Sequence, residues 1–359
     1  MTISDIPTPA LIADVPTMER NISLMSGYFA SRSCKLRPHF KAHKTPEIAR
    51  RQLAAGSCTG LTCATIGEAE IAASVSKNIL IANEIVDLDK CRRAAALART
   101  VALTVAVDSV VGLERLSAAA MEAGVTIDVL IDLNVGQNRC GVTPGDEAVA
   151  LGRAALGRPG LRLRGVMGYE GHAVGIHDRA EREASVRRSM NLMASTAKAF
   201  AAVGLTADVV SGGGTGSYDI SSQIEGITEI QAGSYALMDS DYGCLGMPFE
   251  QALFVLGTVV SRPVPERCVI DAGHKACTKD HGHPSVKGMK EATVLALNDE
   301  HAIIAIPPTS VIKVGDRLAL VPSHIDPTMN LHDRVYALNG HHVVGVWPIA
   351  ARGYGTVGG

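Results

Sequence analysis

Between about residue 36 and residue 233 the chain repeats one pattern, a short apolar run followed by an Ala-rich amphipathic stretch. This alternation constrains the fold most, because runs of that length are too short for buried helices and the stretches between them are too long for turns. The apolar runs fall at 35–39, 60–64, 79–82, 101–107, 128–133, 163–168, 207–211 and 229–232. Between them lie segments such as "TPEIARRQLAAG", "TIGEAEIAASV" and "SVVGLERLSAAAMEAG", several ending in Gly as a helix C-terminus does. Repeated strand–helix units, about eight in some two hundred residues, predict an α/β architecture, a (β/α)8 TIM barrel. A doubly wound open sheet is the alternative, but no GxGxxG opens a helix after the first run. Beyond Pro248 the texture changes to β-branched runs divided by Gly, Pro and Asn, which predicts a smaller antiparallel β domain. The expected division is a barrel at 14–247, with 1–13 and 248–359 forming the β domain.

Composition narrows the class. With 47% hydrophobic residues, 19% charged residues and a formal charge of -2, the chain has a large core and no basic surface for nucleic acid. No apolar run reaches the roughly 18 residues of a membrane helix, and the N-terminus lacks a secretory pattern. The eight cysteines show no CxxC spacing, so they read as reduced thiols of a cytoplasmic protein.

In such a barrel the chemistry gathers where the strands end. Lys41 follows the first run, within Arg37-Pro38-His39-Phe40-Lys41-Ala42-His43-Lys44; "NVGQNRCG" follows the fifth and "YEGH" the sixth. "SGGGTGSY" follows the seventh and "AGSY" the eighth. Glycines let backbone N–H groups close around a phosphate, and loops after the last two strands are where barrels bind one. No GK[ST] follows, which disfavours a nucleoside triphosphate. A phosphate site and a lysine at one mouth suggest pyridoxal 5'-phosphate, whose aldehyde a lysine amine can hold.

The segments "RPHFKAHKTPEIARRQLAAGSCTGLTCATIGEAE", "NVGQNRCGV", "GYEGH", "SGGGTGSYD", "AGSYALMD" and "VPSHIDPTMN" also carry a resemblance. Together they are similar to the D-threonine aldolase, D-3-hydroxyaspartate aldolase and D-serine dehydratase branch of the alanine-racemase-like, fold type III enzymes. That resemblance implies that Lys41 is the Schiff-base lysine, with His39, His43 and Lys44 as a polar collar. It implies Arg139 against the pyridine nitrogen and Tyr169 and His172 on the substrate side. Ser211, Gly213, Gly214, Thr215, Gly233, Ser234 and Tyr235 would serve the phosphate. His324 and Asp326 alternate, so on an extended segment both side chains point one way. Such a pair alone is usually structural, but the resemblance makes it a divalent-metal site. In the dehydratase branch the second ligand is typically Cys, which favours zinc. Aspartate instead suits manganese, or magnesium or cobalt, and matches the aldolases.

The activity so implied is cleavage of a D-β-hydroxy-α-amino acid, a small-molecule substrate, to glycine and an aldehyde. The metal would activate the β-hydroxyl, and His172 or a metal-bound hydroxide would remove its proton. A D-serine or D-threo-3-hydroxyaspartate dehydratase is the alternative on the same scaffold. A racemase, a non-catalytic cofactor-binding protein and a metal-free lysine aldolase fit less well, since none needs the His–Asp pair. The resemblance also implies a homodimer in which the β domain of one chain approaches the barrel mouth of the other.

Overall fold

The computed structural model describes residues 1–353, so residues 354–359 of the expected β domain lie outside it. Internal contacts divide the described residues into two units. One contains Ser26–Lys41 with Ala49–Gly233, and the other contains Met1–Met25, Ala42–Ile48 and Ser234–Gly353. Residues 14–25, 42–48 and 234–247 of the expected barrel thus group with the second unit. The chain begins with β1 (Ala10–Asp14) and α1 (Val15–Ala30).

The first unit holds eight parallel strands: β2 (Lys35–Leu36), β3 (Leu61–Cys63), β4 (Asn78–Glu84), β5 (Ala102–Val107), β6 (Ile127–Leu133), β7 (Leu161–Gly168), β8 (Val209–Gly212) and β9 (Glu229–Ile230). Their order is β2-β9-β8-β7-β6-β5-β4-β3. Parallel bridges Leu36↔Cys58 and His39↔Thr62 join the two ends of that order, curling the sheet into the expected barrel. All of β6 is buried, as a parallel strand covered on both faces must be. The first strand is shorter than its apolar run. The regular ladder stops at Leu36, although the Arg37 and His39 N–H groups still reach the Ile230 and Ala232 carbonyls and the Pro38 carbonyl accepts from Thr62 N–H at 2.9 Å. The chain then turns through Phe40–Ala42, which places Lys41 just past the strand end.

Between the strands run α2 (Pro46–Ala54), α3 (Ile66–Ala72), α4 (Leu88–Leu97), α5 (Val110–Ala123), α6 (Asp146–Leu156), α7 (Arg179–Ala202) and the short α8 (Tyr218–Ser221). Their starts are written locally: Thr65, Asp87, Ser109 and Asp178 each accept a backbone N–H three residues on, as N-caps. Gly124 ends α5 in the left-handed conformation at φ 66°. Leu80, Ala106, Leu130 and Met167 from β4 to β7 pack as one buried cluster.

In the second unit, α9 (Ser240–Gly243) precedes β10 (Leu253–Val264), β11 (Arg267–Ile270), β12 (Ser285–Val286), β13 (Thr293–Leu297), β14 (Ala302–Ala305) and β15 (Arg317–Val321). After these come α10 (Ile325–Asn330), β16 (Arg334–Asn339) and β17 (His342–Pro348). The sheet order is β13-β14-β11-β10-β1-β16-β17, with β15 bonded to β10 and β12. The pairing is antiparallel as expected except between β1 and β16, which run parallel. Ile6, Ala10, Ile12, Phe254, Leu256 and Leu338 form a core cluster of this unit.

Candidate active site

At the barrel mouth Lys41, half-buried, lies with its Nζ 5.9 Å from the centre of the Tyr169 ring. The Arg139 guanidinium carbon lies 6.0 Å from the same ring, and Tyr169 directly follows β7. The ring also packs on the Gly-rich loop, since a Cβ at Gly214 would sit 3.3 Å from Tyr169 Cε2. Lys41 and Arg139, from two other strand ends, therefore both lie near the Tyr169 ring. His172 lies against the loop after β6. A Cβ at Gly136 would come within 2.6 Å of its Cε1, so only glycine leaves room for the imidazole there.

A cleft beside this ring is lined by Glu84, Asp132, Gln137, Arg139, Cys140 and Tyr169. The Gln137 Oε1 atom is buried with no hydrogen-bond partner among the described residues, an orphaned acceptor. Together with the amine and the guanidinium it makes a donor and acceptor set that fits pyridoxal phosphate. Glu84, Asp108 and Cys140 bring ligand atoms within 4.8 Å of one another. Asp132 is only 9% exposed. Burial, then the nearby Glu84 and Asp108 carboxylates, push its carboxyl up to about 8, while Arg139 pulls the other way.

That shift has a consequence for stability. A folded value above the unfolded one means the folded chain holds the proton longer. The stabilisation is full below the ordinary carboxylate range and is lost as pH rises through the raised value. Cofactor-free protein should therefore melt at least about 2–4 °C lower near pH 8.5 than near pH 5.5. Asp132→Asn should remove at least half of that drop, and an unchanged drop in calorimetry would exclude this carboxyl as its source.

The Gly-rich loop is held from below. The Gly213 N–H donates to Glu170 Oε2 at 3.2 Å, and the Gly214 N–H donates to Ser217 Oγ at 3.0 Å. Ser211 is fully buried and its Oγ accepts from Gln231 Nε2, while Thr215 is 2% exposed. At the start of the second unit's C-terminal part, the Ser234 carbonyl accepts from Leu237 and Met238 N–H groups. Tyr235 is fully buried, its ring 5.8 Å from that of Phe249. In the basic stretch, Arg37 forms a buried ion pair with Glu229 at 2.7 Å. The Lys41 N–H donates to His39 Nδ1 at 3.4 Å, and buried His43 accepts from Thr45 N–H through Nδ1.

The second unit carries the His–Asp pair, with one correction to the sequence expectation. His324 and Asp326 are not on one extended segment. Pro322 follows the end of β15, His324 is the extended N-cap of α10, and Asp326 lies in the first helical turn. The pair still converges, with His324 Nε2 3.9 Å from Asp326 Oδ1. Two donors each about 2.1 Å from one ion lie about 3–4 Å apart, so this spacing fits a divalent metal.

Residues outside the HxD pair set its geometry. His324 Nδ1 bonds Asp280 Oδ2 at 2.7 Å, which turns Nε2 towards Asp326. Burial pushes the Asp280 carboxyl up, but the bonds to His324 and Thr278 outweigh it and hold the group below its ordinary range. His281 stacks on His324 with ring centres 4.3 Å apart and bonds Asp241 Oδ2 at 3.0 Å. Asp239 is 1% exposed and accepts the Ile325 and Tyr242 N–H groups, anchoring the start of α10. Burial raises its carboxyl to about 6 against those bonds. The sequence reading passed over all four of these acids and imidazoles. The only local hint was the density of acid and histidine in "KDHGHP".

A curled parallel sheet with a lysine past its first strand, joined in sequence to a mostly antiparallel unit, defines the alanine-racemase-like fold class. Residues 13–241 match the model of the alanine racemase N-terminal domain, and 252–338 match the serine dehydratase domain model. The chain belongs to the alanine racemase N-terminal domain family. It is 39% identical to the D-threonine aldolase of Arthrobacter sp, over 98% of this chain and 94% of that one. Among solved structures it is similar to D-threonine aldolase from Filomicrobium marinum, with TM-score 0.95 and 39% identity over 97% of this chain and 96% of that chain. It is also similar to D-threo-3-hydroxyaspartate dehydratase from Delftia sp. HT23, with TM-score 0.90 and 29% identity over 99% of each.

Proposed function

We infer that this chain is a pyridoxal-phosphate- and divalent-metal-dependent lyase cleaving D-β-hydroxy-α-amino acids of the D-threonine type to glycine and an aldehyde. The observation carrying most weight is the donor pair His324 Nε2 and Asp326 Oδ1, 3.9 Å apart, with the other imidazole nitrogen held by Asp280. One imidazole and one carboxylate make an oxygen-biased set that suits manganese first, then magnesium or cobalt. The higher identity to the Arthrobacter aldolase, 39% against 29% for the Delftia dehydratase, supports the same choice.

When bound, the cofactor supplies an electron sink for the carbanion left by bond cleavage, and the metal supplies Lewis-acid pull on the β-hydroxyl. Lys41 would hold the cofactor through its amine. Arg139, which keeps its proton, would face the pyridine nitrogen and keep it unprotonated. Tyr169 presents its ring beside both. Ser211, Gly213, Gly214, Thr215, Gly233, Ser234 and Tyr235 would shape the phosphate site. His172 takes the β-hydroxyl proton, the Cα–Cβ bond breaks, and the oxygen keeps the aldehyde carbonyl. The electron pair left at Cα then receives a proton to give glycine.

As a functional division, residues 14–247 carry the cofactor, and 1–13 with 248–359 carry the metal. A homodimer belongs to the same proposal, and a fully active monomer in light scattering would overturn that part. No helix among the described residues is long and apolar enough to cross a membrane. None of the eight cysteines forms a disulfide in the described residues, which supports a cytoplasmic setting. With D-threonine, chromatography of the products should find glycine and acetaldehyde in equal amounts and L-threonine untouched. A main yield of 2-oxobutanoate and ammonia would make the site a dehydratase.

A further inference from the structure

Glu170 has no part in the chemistry above, yet it is completely buried between Tyr169 and the glycine that precedes His172. Taking a carboxylate out of water is costly unless donors surround it, and here three do. Its Oε2 accepts the Gly213 N–H at 3.2 Å, and its Oε1 accepts the Ser217 and Ser221 hydroxyls at 2.5 and 3.0 Å. Ser217 Oγ in turn accepts the Gly214 N–H at 3.0 Å. Burial pushes the Glu170 carboxyl up, against these bonds. The Gly214 N–H can only donate, so Ser217 Oγ accepts it and turns its own hydroxyl hydrogen to Glu170, giving one sense to the chain from Gly214 N–H to Ser217 hydroxyl to Glu170. Gly213 sits at φ 73°, and a Cβ there would meet Ile230 at 3.0 Å, so the bend at this point of the loop requires glycine. Two consecutive N–H groups of the Gly-rich loop are thereby committed to protein acceptors, directly or through Ser217.

We propose that Glu170 is a positioning residue for the cofactor phosphate, acting by locking the 213–217 loop from the end of β7 rather than by touching the cofactor. The proposal rests on the pyridoxal-phosphate reading above. It separates from a general structural role by one comparison, that of pyridoxal phosphate with pyridoxal, which lacks the phosphate. Affinities of both for the cofactor-free full-length protein are read from fluorescence quenching and the visible absorbance band.

Glu170→Ala should weaken pyridoxal phosphate about tenfold or more and pyridoxal less than about threefold, since only the phosphate depends on the loop. Glu170→Gln keeps the shape and one acceptor oxygen for the Gly213 N–H, and should weaken the phosphate form alone by about threefold. Equal weakening of both ligands, or no weakening of either, would overturn the proposal. If the alanine variant does not fold, Glu170→Gln and Ser217→Ala carry the same comparison, and absence of a phosphate-selective loss in both would overturn it. Wild-type protein that bound neither ligand would instead remove the cofactor reading itself, before any variant is compared.

Discussion

Lys41→Ala should abolish the visible absorbance of lysine-bound cofactor and lower turnover about a thousandfold or more, with the melting temperature of the cofactor-free protein nearly unchanged. The side chain lies half-buried past the end of β2, with its Nζ 5.9 Å from the centre of the Tyr169 ring. Its loss should therefore remove chemistry and leave the barrel standing. Borohydride reduction of the wild-type holoenzyme followed by peptide mapping should mark Lys41. Lys44 is the competing amine, three residues on, with its backbone at φ 53° and its carbonyl bonded to the Ala351 N–H. A reduced adduct on Lys44, or full absorbance in Lys41→Ala, would show that the wrong lysine was chosen.

Chelation should have an effect of similar size on turnover but none on that absorbance, because the His324–Asp326 donors belong to one compact unit and Lys41 and the Gly-rich loop to the other. Activity should return with manganese and less readily with cobalt or magnesium. Asp280→Asn should weaken metal binding about tenfold to a hundredfold, because a neutral amide oxygen accepts from the imidazole more weakly than a carboxylate does, so Nε2 is held less firmly towards Asp326 and is less basic. Asp326→Cys should shift the preference towards zinc, as a softer donor replaces a carboxylate oxygen. Calorimetric titration reads the affinities directly. Undiminished turnover after thorough chelation would take the metal out of the reaction.

What could be read from the sequence was whatever is encoded over a few neighbouring residues. Strand and helix periods and the Gly124 stop are local, and they placed the eight barrel strands in chain order. The N-caps at Thr65, Asp87, Ser109 and Asp178 are local as well. The rule that barrel chemistry gathers at strand ends then drew attention to Lys41, Arg139 and Tyr169, which the fold does bring around one ring. Local rules erred where a neighbour across space decided the outcome. The first strand ended at Leu36, and α10 formed where an extended pair was expected, with Asp239 holding its first N–H from eighty-six residues away.

The supporting groups were decided by tertiary structure alone. Asp280 reaches His324 across forty-four residues, and Glu170 reaches Ser217 and Ser221 across forty-seven and fifty-one. Asp132 becomes a reluctant acid because the barrel buries it beside Glu84 and Asp108, which other strands deliver. Periodicity and capping act through bonds and hydrogen bonds spanning about one helical turn, so a sequence displays them directly. Desolvation and charge pairing depend on which distant segments the fold sets side by side, and no stretch of sequence holds that distance.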